Sequence, residues 1–400
     1  MNPWLALALL AGAVVLSMAP WFSAAAVLPQ LRAEWALSAQ AASWLALAVQ
    51  LGFVAGAVGS AVLNLADRVP SRLLILGGAL GAAAANAALL LLPDGQWAFL
   101  LRALVGASLA LVYPTSLRAM SAFFVRGRGL ALGFMVGALT LGSASPHLVN
   151  GLGGADWRTV IGVTSLLAVL GGVLATLVGP GPHRTPAPPF RPAQAWRVLS
   201  ARGPGLATLG YLGHMWELYA MWTWFALFYS GVLRAAGDGA VEVTRGAALA
   251  TFSVVGLGAL GCLAGGVLGD RWGRTRLTEL AMWLSGASAL LLALLVNAPS
   301  GVVLGVSLFW GFWIIADSAQ FSTIVSEIAD PAYVGTALTA QLALGFTLTA
   351  LSIALVPWLE PVIGWRGIFV VWSVGPLLGA LAMRVLRHSP DAARIAGGRG

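Results

Sequence analysis

Long apolar runs separated by short polar breaks dominate this chain. A helix that crosses a bilayer needs about 20 apolar residues, and twelve runs are of that order: 4–28, 40–63, 73–92, 96–120, 129–151, 158–179, 205–232, 247–268, 277–297, 301–325, 333–357 and 366–386. Pro, Gly and charged residues gather between them, at Pro93-Asp94-Gly95, Gly154-Ala155-Asp156, Asn297-Ala298-Pro299 and Asp330-Pro331. The runs are continuous rather than alternating, so they read as helices and not as barrel strands. The expected architecture is an all-α integral membrane protein with twelve transmembrane helices. Met1-Asn2-Pro3-Trp4 has no basic side chain and the run behind it is too long for a signal-peptide core, so the first run reads as a retained span.

Composition agrees with this pattern. Of 400 residues, 59% are apolar and only 9% are charged, against about 25% charged in a soluble domain. Disorder is excluded by the same imbalance. The net charge of +8 comes from arginine, with no lysine in the chain. In a membrane protein such residues mark cytoplasmic loops, so nucleic acid is not an expected partner. Cys262 is the only cysteine, which leaves no intramolecular disulfide and no thiolate metal cluster.

The arginines set the orientation. With the N-terminus inside, the inner face holds sixteen of them, including Arg68, Arg72, Arg118, Arg126, Arg128, Arg184, Arg271, Arg274 and Arg276, and the outer face holds Arg32, Arg158, Arg234, Arg245 and Arg366. Both termini are therefore expected in the cytoplasm, with the chain in a bacterial inner membrane. The longest inner loop, about 180–204, is Pro-rich and basic, with a short interfacial helix expected near Ala193–Leu199. It divides the chain into bundles 1–180 and 205–400 joined by a linker, 181–204. The halves repeat: Leu65-Ala66-Asp67-Arg68 after the second run matches Leu268-Gly269-Asp270-Arg271 after the eighth, and Trp157-Arg158 matches Trp365-Arg366 at nearly the same separation. Six helices per half give both halves the same topology.

These features resemble the major facilitator superfamily of secondary transporters. Gly266-Val-Leu268-Gly-Asp270-Arg271-Trp-Gly273-Arg274-Thr-Arg276 is similar to the second-half copy of that family's signature. The first-half copy, Leu63-Asn-Leu65-Ala-Asp67-Arg68-Val-Pro70-Ser-Arg72, is degenerate, with Leu63 and Pro70 where the pattern has glycine. The resemblance implies two pseudo-symmetric six-helix bundles whose helices one, four, seven and ten line a central cavity. It also implies a cytoplasmic latch, here Asp67, Arg68, Arg72, Gly266, Asp270, Arg271, Gly273 and Arg274. Physically, glycine permits a tight turn, and an acid can face a helix N-terminus while arginines pair across the seam. The bland alternative is that these arginines only enforce topology.

A charge inside a span is costly, so each one nominates a functional position. Arg102 lies in span four, His147 in span five, His214 and Glu217 in span seven, and Asp317 in span ten; Arg118, Glu279 and Glu327 fall near inner ends. Three of those four spans are cavity helices in the family. His214 and Glu217 are three apart and share a helix face. Glu217 is a candidate proton-coupling acid tuned by His214, or else part of a structural pair with His214 or Arg102. Arg102-Ala-Leu-Val-Gly106 resembles the family's helix-four pattern; Arg102 reads as an anion anchor, as the counter-ion of Glu217 or Asp317, or as structural. Asp317 and Gln320 are candidates for substrate or proton binding, and Asp317 alternatively pairs with Arg102 or caps a helix break. Among Trp21, Trp216, Trp222, Trp224, Trp310 and Trp313, the best candidates for stacking a substrate are Trp216 and Trp313. Gly133 and Gly142 are spaced as in the family's antiporter signature, but Ser143 stands where that signature has proline.

No P-loop, catalytic constellation, cofactor motif or metal cluster is present in the sequence. The expected function is alternating-access transport by a monomer, coupled to protons, of a small organic anion. The alternatives are proton-driven efflux of amphipathic drugs or cations, and a non-transporting receptor or scaffold on the same fold.

Overall fold

The computed structural model describes residues 1–124, 127–153, 156–183, 191–330 and 332–400. Arg126, Arg184 and the stretch 184–190 of the expected linker lie outside these residues. Among the described residues, nine helices are long and apolar enough to cross a membrane. One of them, Val334–Arg387, is two spans: Gly364 adopts φ 61° and ψ 178° inside it, a conformation open to glycine and costly to other residues. The runs 333–357 and 366–386 leave a connection over 358–365, but the helix continues through Pro361 and turns only at Gly364. The other two spans are the first, which is broken, and the seventh, Arg202–Ala235, whose middle is rich in aromatic and polar side chains. The total is twelve.

Three spans break at depth, and all three belong to the expected cavity set. Span one runs Pro3–Met18, unwinds, and resumes as Ser23–Ala26, after which the separate short helix Leu28–Glu34 follows. Pro20 explains the break, since it donates no N–H and obstructs the preceding turn. Span four runs Ala98–Leu109 and Tyr113–Ser121, ending its first segment ahead of Pro114. Span ten runs Ser300–Trp313 and Ser318–Ile328, with no proline at the break. The short helix expected in the linker forms as Pro192–Leu199, and the Arg191 N–H beside it donates to Thr336 Oγ1 of span eleven at 3.1 Å.

Small residues set the helix crossings. Span two (Ala39–Val62) crosses span four so closely that a Cβ on Gly52 or Gly56 would strike the carbonyls of Ala103 or Ala107. In the second half, span eight (Ala240–Trp272) crosses span ten with Gly261 against the Phe312 carbonyl and Gly265 against that of Ala316. These four pairs correspond at a single constant offset along the chain, so the repeat seen in the loops extends into the packing. Close backbone approach at small residues is how helices associate where apolar burial gives no advantage over lipid.

The two bundles meet along a seam. Span five (Arg128–Gly153) lies along span eight, with Gly133 against the Cys262 carbonyl and Gly137 against that of Ala259. Span two lies along span eleven, where Phe53 and Phe346 meet with ring centroids 4.6 Å apart.

Candidate functional site

At the arginine-rich end of the seam, the second-half signature forms a compact cluster. Arg274 Nε donates to both carboxylate oxygens of Glu327 at 3.0 and 3.1 Å, and its Nη1 donates to Asp270 Oδ1 at 3.1 Å and to Gln320 Oε1 at 2.9 Å. Glu327 Oε2 also accepts from the Ala396 N–H at 2.9 Å. The Asp270 carboxylate fills the space where a Cβ on Gly129 would stand, in the first turn of span five. An acid at a helix N-terminus is favoured there by the exposed N–H groups and the dipole. This contact joins the two bundles. Gly266 serves the crossing rather than a turn, since its Cβ would strike the Gly129 carbonyl. The turn residue is Gly273, at φ 99°.

The first-half copy is arranged differently. Asp67 pairs with Arg118 inside its own bundle. Asn64, at φ 50°, takes the left-handed turn, a conformation asparagine tolerates. Arg68 and Arg72 line a cavity of about 640 Å³ within the first bundle, together with Asp67, Arg118 and His183. Arg271 is exposed, and Arg274 is the hub of the cluster. Gln320, expected on the substrate path, belongs to the Arg274 cluster, and its Nε2 donates to the Gly265 carbonyl at 3.2 Å.

Deeper in the bilayer, Arg102 is 1% exposed. Its guanidinium donates to the carbonyls of Pro20 (2.9 Å) and Leu45 (3.4 Å), to Ser23 Oγ (3.2 Å), to Asn86 Oδ1 (2.9 Å) and to the Trp21 carbonyl. Two of these carbonyls, those of Pro20 and Trp21, lie in the break of span one, and the Pro20 carbonyl also accepts from the Ser23 N–H at 3.3 Å and from Ser23 Oγ at 2.9 Å. Asn86 passes the network on to Thr164 and Ser165 of span six at 3.1 and 3.0 Å. The counter-ion reading is therefore corrected: among the described residues no carboxylate reaches Arg102, because five nearer oxygens hold it in the first bundle. Asn86 was missed, although a lone asparagine in an apolar run was the available signal.

His214 and Glu217 also part company. Glu217 accepts from Ser285 Oγ of span nine at 2.5 Å and from Trp310 Nε1 of span ten at 2.9 Å. His214 Nδ1 lies 2.8 Å from Asp317 Oδ1, out of hydrogen-bond alignment. Both carboxyl groups are 1% exposed. Asp317 stands at the N-terminal boundary of Ser318–Ile328, yet its side chain does not cap that helix. The shared face predicted from spacing is real, but neighbours on spans nine and ten claim the two side chains separately.

The tryptophans also sort differently from expectation. Trp216 is half-buried and donates to the Val371 carbonyl of span twelve at 2.8 Å, and Trp313 packs edge-on against Phe312. Neither takes part in the ring cluster that bridges the seam. That cluster consists of Trp21, Phe22 and Phe53 from the first bundle and Tyr219, Trp222 and Phe346 from the second. Among the described residues, no group of three or more His, Cys, Asp or Glu is placed to hold a metal.

The sequence profile of the Major Facilitator Superfamily matches residues 10–346. The 3-(3-hydroxy-phenyl)propionate transporter of Escherichia coli (strain K12) is 31% identical over 172 residues, which is 41% of this chain and 41% of that protein. The chain thus matches less than half the length of that relative. A bacterial homolog of the human lysosomal transporter Spinster, crystallised in an inward-facing and unoccupied conformation, superposes with a TM-score of 0.72 at 15% identity, covering 97% of this chain and 99% of the other. A D-xylose-proton symporter superposes with a TM-score of 0.74 at 17% identity, covering 94% and 96%. At these identities the two structures establish the fold. Family and fold are those of transporters rather than enzymes, and the chain belongs to the major facilitator superfamily as a multi-pass membrane protein.

Proposed function

We propose that this chain is a proton-coupled transporter of a small organic anion, working as a monomer by alternating access between bundles 1–180 and 205–400, with 181–204 as the linker. The carrying observation is that Glu217 and Asp317 are buried in the second bundle with no arginine partner among the described residues. Each can gain or lose a proton without breaking a bond to a permanent charge. His214 stands beside Asp317 as a relay or tuning group. The symporter among the structural neighbours is named for proton coupling, and the Escherichia coli relative is named for an organic acid, which supports the anion class.

In this reading the latch of Asp270, Arg274, Gln320 and Glu327 closes the cytoplasmic side by holding Asp270 against the start of span five. The arginine asymmetry supports both termini in the cytoplasm and a place in the bacterial inner membrane. Arg102 acts on substrate through its charge and through the shape of span one. The cation-efflux reading loses its proposed stacking residues, because Trp216 and Trp313 lie away from the ring cluster.

The test is reconstitution in vesicles with an internal pH indicator, challenged with carboxylates, sugars and amines. Carboxylates are expected to drive proton flux. Glu217→Gln or Asp317→Asn is expected to abolish accumulation driven by a pH gradient while sparing substrate exchange. Full gradient-driven accumulation in both variants would refute the coupling role.

A further inference from the structure

The ring cluster at the seam carries unused hydrogen-bonding groups. Phe22 and Tyr219 stack at 19° with centroids 6.1 Å apart, Trp21 lies 5.9 Å from Tyr219 and 5.7 Å from Phe346, and Trp222 meets Phe22 at 5.7 Å. Both indole N–H groups, on Trp21 and Trp222, are buried without an acceptor. Gln50, one helical turn from Phe53 on the same face, is 1% exposed and has both amide atoms unpaired. Buried polar groups in folded proteins almost always find a partner. Three such side chains thus stand on or beside one set of aromatic rings contributed by both bundles.

We propose that this cluster is the recognition site for an aromatic carboxylate. The ring of the ligand inserts between Trp21 and Phe22 on one wall and Tyr219 and Trp222 on the other as the bundles part. Its carboxylate accepts from the indole N–H groups and from the Gln50 amide. Three observations favour an acid over an amine. The indole nitrogens can only donate. The charge bonded directly to the ring-bearing segment is Arg102, through the carbonyls of Pro20 and Trp21. The second bundle's acids are engaged elsewhere, Glu217 by Ser285 and Trp310 and Asp317 by His214. The assignment rests on the transporter reading and narrows it to one substrate class.

The experiment is calorimetric titration of the purified full-length protein with 3-phenylpropionate, 3-cyclohexylpropionate and 2-phenylethylamine. The aromatic acid is expected to bind, its saturated analogue several-fold more weakly, and the amine not at all. Trp21→Phe and Trp222→Phe keep a ring and remove only the N–H. Each should raise the Kd for 3-phenylpropionate about tenfold, the effect of one hydrogen bond to a charged group. Trp216→Phe, whose N–H already serves Val371, should leave the Kd unchanged. Melting temperatures of the variants confirm folding. Failure of 3-phenylpropionate to bind, tighter binding of the amine, or an unchanged Kd in both Trp21→Phe and Trp222→Phe overturns the assignment. Proton flux driven only by a non-aromatic carboxylate would likewise overturn it while leaving the transporter reading intact.

Discussion

Replacing Arg102 by methionine separates two roles that the sequence leaves open. The side chain keeps much of its volume and loses every donor. Five oxygens then lose a partner: the carbonyls of Pro20, Trp21 and Leu45, Ser23 Oγ and Asn86 Oδ1. Hydrogen bonds between helices in membranes average about 0.6 kcal/mol each, which gives a loss of roughly 3 kcal/mol for five. The perturbation centres on the unwound turn of span one, which contributes the Pro20 and Trp21 carbonyls to Arg102. Thermal unfolding in detergent, followed by intrinsic fluorescence, should show a clearly lowered Tm for Arg102→Met. Arg102→Lys, which keeps the charge and up to three donors, should lie between the two. Wild-type melting in Arg102→Met, with only anion binding lost, would refute the structural role and return Arg102 to the substrate path.

Two further outcomes test other parts of the fold. Gly266→Leu places a side chain against the Gly129 carbonyl and should hold the latch end of the seam open. Cys262 is 2% exposed, with its sulfur 3.8 Å from Thr140 Oγ1 of span five, so its alkylation rate should rise, because a buried thiol is inert until reagent reaches it; an unchanged rate would sink the latch geometry. At the opposite face, past the first spanning segment, Arg158 and the Trp157 indole bond Glu34 and hold its carboxyl below the usual range. A lowered folded pKa stabilises above the ordinary carboxylate value of about 4.3 and is lost as pH falls through the folded one. The Tm gap between wild type and Glu34→Gln should therefore be present at neutral pH and vanish in acid, and a gap that persists at low pH would contradict the pairing.

The sequence by itself determined the class, the twelve spans and the repeat, because bilayer hydrocarbon imposes a length and a polarity on every crossing segment. The breaks at Pro20 and before Pro114 came from the structure, since the apolar runs 4–28 and 96–120 pass through both prolines without interruption. The sequence nominated Arg102, His214, Glu217 and Asp317, because a charge in an apolar run stands out against its background. Tertiary structure decided what each of these touches. Arg102 turns back onto the unwound turn of span one, and His214 leaves Glu217 for Asp317. Gln320 joins a latch whose acid, Glu327, is 53 residues from its arginine. The break in span ten carries no proline. The rings that bridge the seam come from four spans in two bundles, where no period in the chain links them. Helical periodicity fixes the face on which a side chain stands. Which of several buried oxygens, donors or rings it meets depends on where neighbouring helices cross, and those crossings are set by small residues on helices far apart in the chain.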